Sequence, residues 1–174
     1  ALGSVPVLAR QAVVVPIGGV SLRVLDDLLA SHPELETIRT DLVRAYAELV
    51  RCFRSGGTLF LCGNGGSMAD ALHISGELLK SYAHPRSLPQ PLARGLAGQP
   101  DGELLLRNLE GGLRAVVLGA NVALARAVAN DRPDRDVGLA QELAALARPG
   151  DVLLAISTSG NARNVAYAVQ VARA

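Results

Sequence analysis

The 174-residue sequence has no tryptophan, only two phenylalanines and three tyrosines, and a single lysine, Lys80, among seventeen basic residues. With so few aromatics, the 49% hydrophobic content must pack through Ala, Leu and Val, which suits helices laid on a parallel sheet. No basic tract exists, and the formal charge of +1 gives no bulk attraction to nucleic acid or an anionic membrane. The only two cysteines, Cys52 and Cys62, lack metal or redox spacing and are read as reduced, buried thiols of a cytoplasmic protein. The apolar opening, residues 1–19, is interrupted by Pro6, Arg10 and Pro16 and lacks a basic leader. It matches neither a secretory signal nor a membrane span. Gly-Lys-Ser/Thr and Gly-x-Gly-x-x-Gly are both missing, which excludes a P-loop and a dinucleotide fingerprint.

What is present reads as alternation of strand and helix. Residues 1–20 form an extension with no assigned role, and residues 21–174 form one domain. A helical arm covers 21–57: one helix over 21–30, then a capping box at Ser31-His-Pro-Glu34 opening a second that Gly56-Gly57 stops. Strands follow at 58–62, 114–119 and 151–157, with helices at 68–82, 121–129, 138–147 and from the third strand to the end. A Pro/Gly-rich excursion over 84–112 interrupts the alternation, with a short helix near 102–109. The pattern predicts an α/β three-layer sandwich around a parallel, Rossmann-like sheet with right-handed crossovers. Three strands are few for such a sheet, and the last helix has no terminal cap, so either further C-terminal strands or a partner covering the sheet edge is expected.

Ligands of open parallel sheets sit at the carboxyl ends of strands, near helix N-termini. Two of the three predicted strand ends carry suitable groups. After the first comes Gly63-Asn64-Gly65-Gly66-Ser67, whose glycines let backbone amides approach an anion. After the third come Ser157, Thr158 and Ser159 beside Gly160. Hydroxyls and amides without lysine suit the phosphate of a small sugar better than a nucleoside triphosphate. Each loop has a plainer explanation, because Ser67-x-x-Asp70 is also a capping box and Ser159 also a helix cap. Both loops at neighbouring strand ends favour the anion. His73 and Glu77, four apart, share one helix face. That spacing fits two ligands of one divalent metal, a base with its orienting partner, or an ordinary surface pair.

The segments "CGNGGSMADALHISGEL" and "RPGDVLLAISTSGNARNV" resemble the two signature segments of sugar isomerase (SIS) domain proteins, specifically the phosphoheptose isomerases. "NVALARAVAND" is similar to the stretch that family carries after its second strand. The resemblance covers about 34–174 outside the excursion. It implies a homotetramer acting on a phosphosugar, converting sedoheptulose 7-phosphate into D-glycero-D-manno-heptose 7-phosphate through an enediol, in the synthesis of heptose for surface polysaccharide. It implies phosphate and substrate contacts from Asn64, Gly65, Gly66, Ser67, Asn121, Ser157, Thr158 and Ser159. It implies zinc, or another divalent metal, on His73 and Glu77, with Glu77 also the base.

Three positions depart from the family pattern: Ser81 replaces an arginine, Asn121 an aspartate and Ala162 a serine. The family's remaining metal ligands, a Gln and a His, belong to a later helix that this sequence does not reach. The alternative expectation is a non-catalytic SIS-domain protein that binds phosphosugars or a replication initiator. The initiator-binding branch lacks a carboxylate at the position of Glu77, so the carboxylate here favours the enzyme.

Overall fold

The computed structural model describes residues 19–174. Most of the stretch set apart as the N-terminal extension lies outside the described residues. The elements run α1 (Gly19–Ser31), a 3₁₀ turn (Pro33–Ile38), α2 (Arg39–Arg54), β1 (Leu59–Cys62), α3 (Gly66–Leu79), α4 (Gln90–Leu96) and α5 (Gly102–Asn108). They continue with β2 (Ala115–Val117), α6 (Val122–Asp131), a 3₁₀ turn (Arg135–Val137), α7 (Gly138–Leu146), β3 (Val152–Ala155) and α8 (Arg163–Arg173).

The sheet is parallel and three-stranded, in the order β2-β1-β3. β1 is central and buried along its whole length. Because alternate side chains point to opposite faces, Leu-Phe-Leu-Cys supplies an apolar group to both sides. Phe60 and Cys62 face Leu139 and Leu143 of α7 and Val165 and Ala168 of α8. Leu59 and Leu61 face Ala71 of α3, with Leu49 and Phe53 of α2 packed against the same cluster. Helices therefore cover both faces, the three layers expected from the strand–helix alternation.

The capping box at Ser31 does not form. Ser31 still lies in α1, and its hydroxyl donates to the Asp27 carbonyl at 2.9 Å. Pro33 disfavours helical backbone at His32, so α1 stops there and a 3₁₀ turn intervenes before α2. Arg39, at the start of α2, reaches back to Asp26 of α1 at 3.3 Å. The excursion is more ordered than its composition suggests. Besides α5 it carries α4, where Pro91 sits in the first turn and so loses no helical hydrogen bond. Both thiols are free and buried, and burial pushes Cys62 up to about 11. No described helix is long and apolar enough to cross a membrane.

Candidate functional site

Cys62 pairs with Ala155, and the Ile156 amide donates to the Cys62 carbonyl at 2.8 Å, so β1 and β3 end side by side. The two loops that follow therefore start as neighbours.

In the first loop, Gly65 takes φ 54° and ψ −120°, a conformation that side chains other than hydrogen resist, and it forms the N-cap of α3. At Gly63 a Cβ would stand 2.7 Å from Ser67, so only glycine lets the helix start fold back against the strand end. The amides of Ser67, Met68 and Ala69 bond to the Asn64 and Gly65 carbonyls. Ser67 lies inside α3, not at its cap, which removes the capping-box reading of Ser67-x-x-Asp70. It is 8% exposed, and its hydroxyl has no protein partner among the described residues.

In the second loop the serines shape their own turn. Ser157 Oγ accepts from the Gly160 amide and Ser159 Oγ from the Asn161 amide, each at 3.2 Å. The N-cap of α8 is Ala162, so Ser159 does not cap it.

A reciprocal pair of amides joins the loops. Asn64 Nδ2 donates to Asn164 Oδ1 at 2.9 Å, and Asn164 Nδ2 donates back to Asn64 Oδ1 at 2.8 Å. Asn164 Oδ1 also accepts from the Val165 amide at 3.0 Å, which fixes that side chain on the first turn of α8. The sequence reading named Asn64 but missed Asn164, because it weighed only the hydroxyls of "TSGNARNV". An asparagine in the first turn of the helix after that loop was the available signal.

Asn121 stands at the start of α6. Its Oδ1 accepts from the Leu124 amide at 3.1 Å as the N-cap of α6, and no hydrogen bond joins it to either loop. Close by, a cleft of about 160 Å³ is lined by Gly119, Leu124, Arg135, Glu142 and Asn164. Glu142, 7% exposed, holds the Gly119 amide at 2.7 Å, and nothing in its helical sequence context had marked it.

His73 and Glu77 form the expected pair on α3, with His73 Nε2 3.4 Å from Glu77 Oε1. The imidazole is 77% exposed, on a flank of α3 away from the buried side carrying Ser67, Ala71 and Ser75. Glu77 Oε2, by contrast, is shielded from solvent and has no hydrogen-bond partner. A shielded carboxylate oxygen without a donor costs free energy, and on a side chain that is 40% exposed overall it has room for a proton, a water, a ligand or a cation. Two donors bound to one tetrahedral zinc at about 2.0–2.2 Å stand about 3.4 Å apart, the separation seen here. The pair thus fits two positions of a zinc site. Among the described residues no group of three or more His, Cys, Asp or Glu is placed to hold a metal.

No protein-family model matches the chain. It is 34% identical over 137 residues to the phosphoheptose isomerase of Shewanella halifaxensis, covering 79% of this chain and 57% of the relative. It is 35% identical over 154 residues to that of a Roseiflexus species, covering 86% of this chain and 66% of the relative. The chain therefore spans less than two thirds of either relative's length. Among solved structures, the phosphoheptose isomerase of Neisseria gonorrhoeae superposes with a TM-score of 0.60 at 28% identity, over 88% of this chain and 67% of that one. With the two loops joined at the sheet end and the His–Glu pair on the helix between them, the chain belongs to the phosphoheptose isomerase family.

Proposed function

We propose that the chain works as an aldose–ketose isomerase, converting sedoheptulose 7-phosphate into D-glycero-D-manno-heptose 7-phosphate. The observation that carries this reading is Glu77, with one carboxylate oxygen beside His73 and the other shielded and unpartnered. The phosphate lies against the Gly65 and Gly66 amides and the Ser67 hydroxyl, with Ser157, Thr158 and Ser159 supplying further donors. The Asn64–Asn164 pair keeps the two loops at a fixed separation, and Asn121 reaches the sugar from the start of α6.

Glu77 then takes the proton from C1 of the ketose, leaving an enediolate across C1 and C2. Returning that proton to C2, while the hydroxyl proton of O1 passes to O2, gives the aldose. One C–H bond breaks and one forms, C1 is oxidised and C2 reduced, and no outside oxidant is needed. His73 Nε2 and Glu77 Oε1 are the proposed zinc donors, and zinc there supplies a Lewis acid that polarises the carbonyl. A cytoplasmic homotetramer is part of the same proposal. The relatives support the isomerase over a non-catalytic binding protein.

The test is to incubate the purified protein with sedoheptulose 7-phosphate, with and without added zinc, and follow formation of the aldose by NMR. Aldose formation is expected, faster with zinc. No product under either condition overturns the reading.

A further inference from the structure

The Pro/Gly-rich excursion between α3 and β2 has no place in the proposed chemistry, yet it is bound to one particular spot, the last turn of the helix that carries Glu77. A helix leaves its last carbonyls without internal partners. In α3 the excursion supplies those partners. Arg86 Nη2 donates to the Leu78 carbonyl at 2.6 Å and reaches the Glu77 carbonyl at 3.4 Å. Arg86 Nε donates to the Gly111 carbonyl at 2.8 Å, so one guanidinium joins the helix end to the far end of the excursion. The Leu113 amide adds a second bond to the Leu78 carbonyl at 2.8 Å.

Arg86 is itself held. Its carbonyl accepts from the Gly111 amide at 2.7 Å, and its amide donates to Glu110 Oε2 at 3.3 Å. Glu110 also accepts from the amide and hydroxyl of Ser81, at 2.7 and 2.6 Å. Ser81, 6% exposed, turns the chain away just past the end of α3. A guanidinium at this end also complements the negative pole of the helix. The planar fork aims its donors in fixed directions at several acceptors, whereas the three donors of an ammonium rotate freely.

We infer that Arg86 is a positioning residue for Glu77: the clasp of Arg86, Glu110, Ser81 and Gly111 fixes the last turn of α3, and with it the carboxylate beside His73. The effect on turnover rests on Glu77 being the proposed base, whereas the effect on the helix end does not. The phosphate loops lie at the opposite end of α3, so loss of the clasp misaligns the base and leaves the anion cradle intact.

The experiment compares the full wild-type chain with Arg86→Ala and Arg86→Lys, by amide hydrogen exchange and by steady-state kinetics on sedoheptulose 7-phosphate. In Arg86→Ala, exchange at the Leu78–Lys80 amides rises at least tenfold. Turnover falls by about ten- to a hundredfold, with KM within about twofold of wild type. Guanidinium ion at sub-denaturing concentration restores part of that turnover, and sodium chloride of equal ionic strength does not. Arg86→Lys falls between the two, and carries the comparison if the alanine variant does not fold. Unchanged exchange, unchanged turnover, a KM rise matching the loss of turnover, or equal restoration by plain salt overturns the inference. A wild-type chain inactive on the substrate sinks the isomerase reading, while the exchange comparison still decides the clasp.

Discussion

At the scale of single residues, Glu77 divides its two oxygens between two environments. One stands beside an exposed imidazole and the other is closed off from solvent with no donor. Replacement by glutamine keeps the volume and removes the basic oxygen. Glu77→Gln is expected to lower kcat by at least about 100-fold while leaving affinity for inorganic phosphate within about twofold, read from steady-state kinetics and a phosphate titration. A comparable loss of phosphate affinity would instead mark Glu77 as a structural residue. The His73–Glu77 contact and the glycine turn ahead of Ser67 were legible in the sequence, because spacing on a helix and glycine at a strand end are local signals. Asn164 and Glu142 were not. Their partners lie 100 and 23 positions away, so even the local signal at Asn164, an asparagine in the first turn of a helix, does not name the residue it pairs with.

At the scale of elements, α8 is tied to the 3₁₀ turn before α7 by a cluster of charges. Arg163 Nη2 donates to Asp134 at 2.6 Å, and the Tyr167 hydroxyl donates to the same oxygen at 3.1 Å. The Asp136 amide foremost, then the Tyr167 hydroxyl and the Arg163 charge, hold the Asp134 carboxyl below its usual range. A carboxyl depressed in the folded state stabilises it above the unfolded pKa of about 4, and that contribution is lost as pH falls through the lower, folded value. Urea midpoints measured against pH should therefore fall more steeply below about pH 4 in wild type than in Asp134→Asn. Parallel curves would mean that the cluster is too exposed to matter. Element order was readable from the alternation of periods, and boundaries moved by only a few residues. The two departures, the 3₁₀ turn before α2 and the extra helix in the excursion, each have a proline in the first turn, Pro33 and Pro91. The chain uses the first to enter a 3₁₀ turn and the second to open α4.

At the scale of the whole molecule, everything is referred to β1, the only described strand with a neighbour on both sides and helices above and below. Leu61 is fully buried there, in a cluster with Leu59, Ala71, Ala115 and Val117 and with Phe53 packed against it, so removing its side chain leaves a void between sheet and helices. Leu61→Ala is expected to cost about 2–5 kcal/mol in denaturant unfolding. A cost below about 1 kcal/mol would show that the core is looser than its burial implies. The three layers were legible because strands alternate with helices, and the four apolar residues in a row of β1, with glycines nearby on either side, suit a strand covered on both faces. The fastening of the excursion onto α3 was not, since it depends on where two distant carbonyls fall. The joined loops also set a clock on the molecule. Asn64 precedes Gly65, and an asparagine before a residue without a Cβ is readily attacked by the next backbone nitrogen, shedding ammonia through a cyclic imide. The resulting aspartate or isoaspartate can no longer donate to Asn164 and plants a negative charge where the proposed phosphate belongs, so stored protein should lose substrate affinity before it loses its fold.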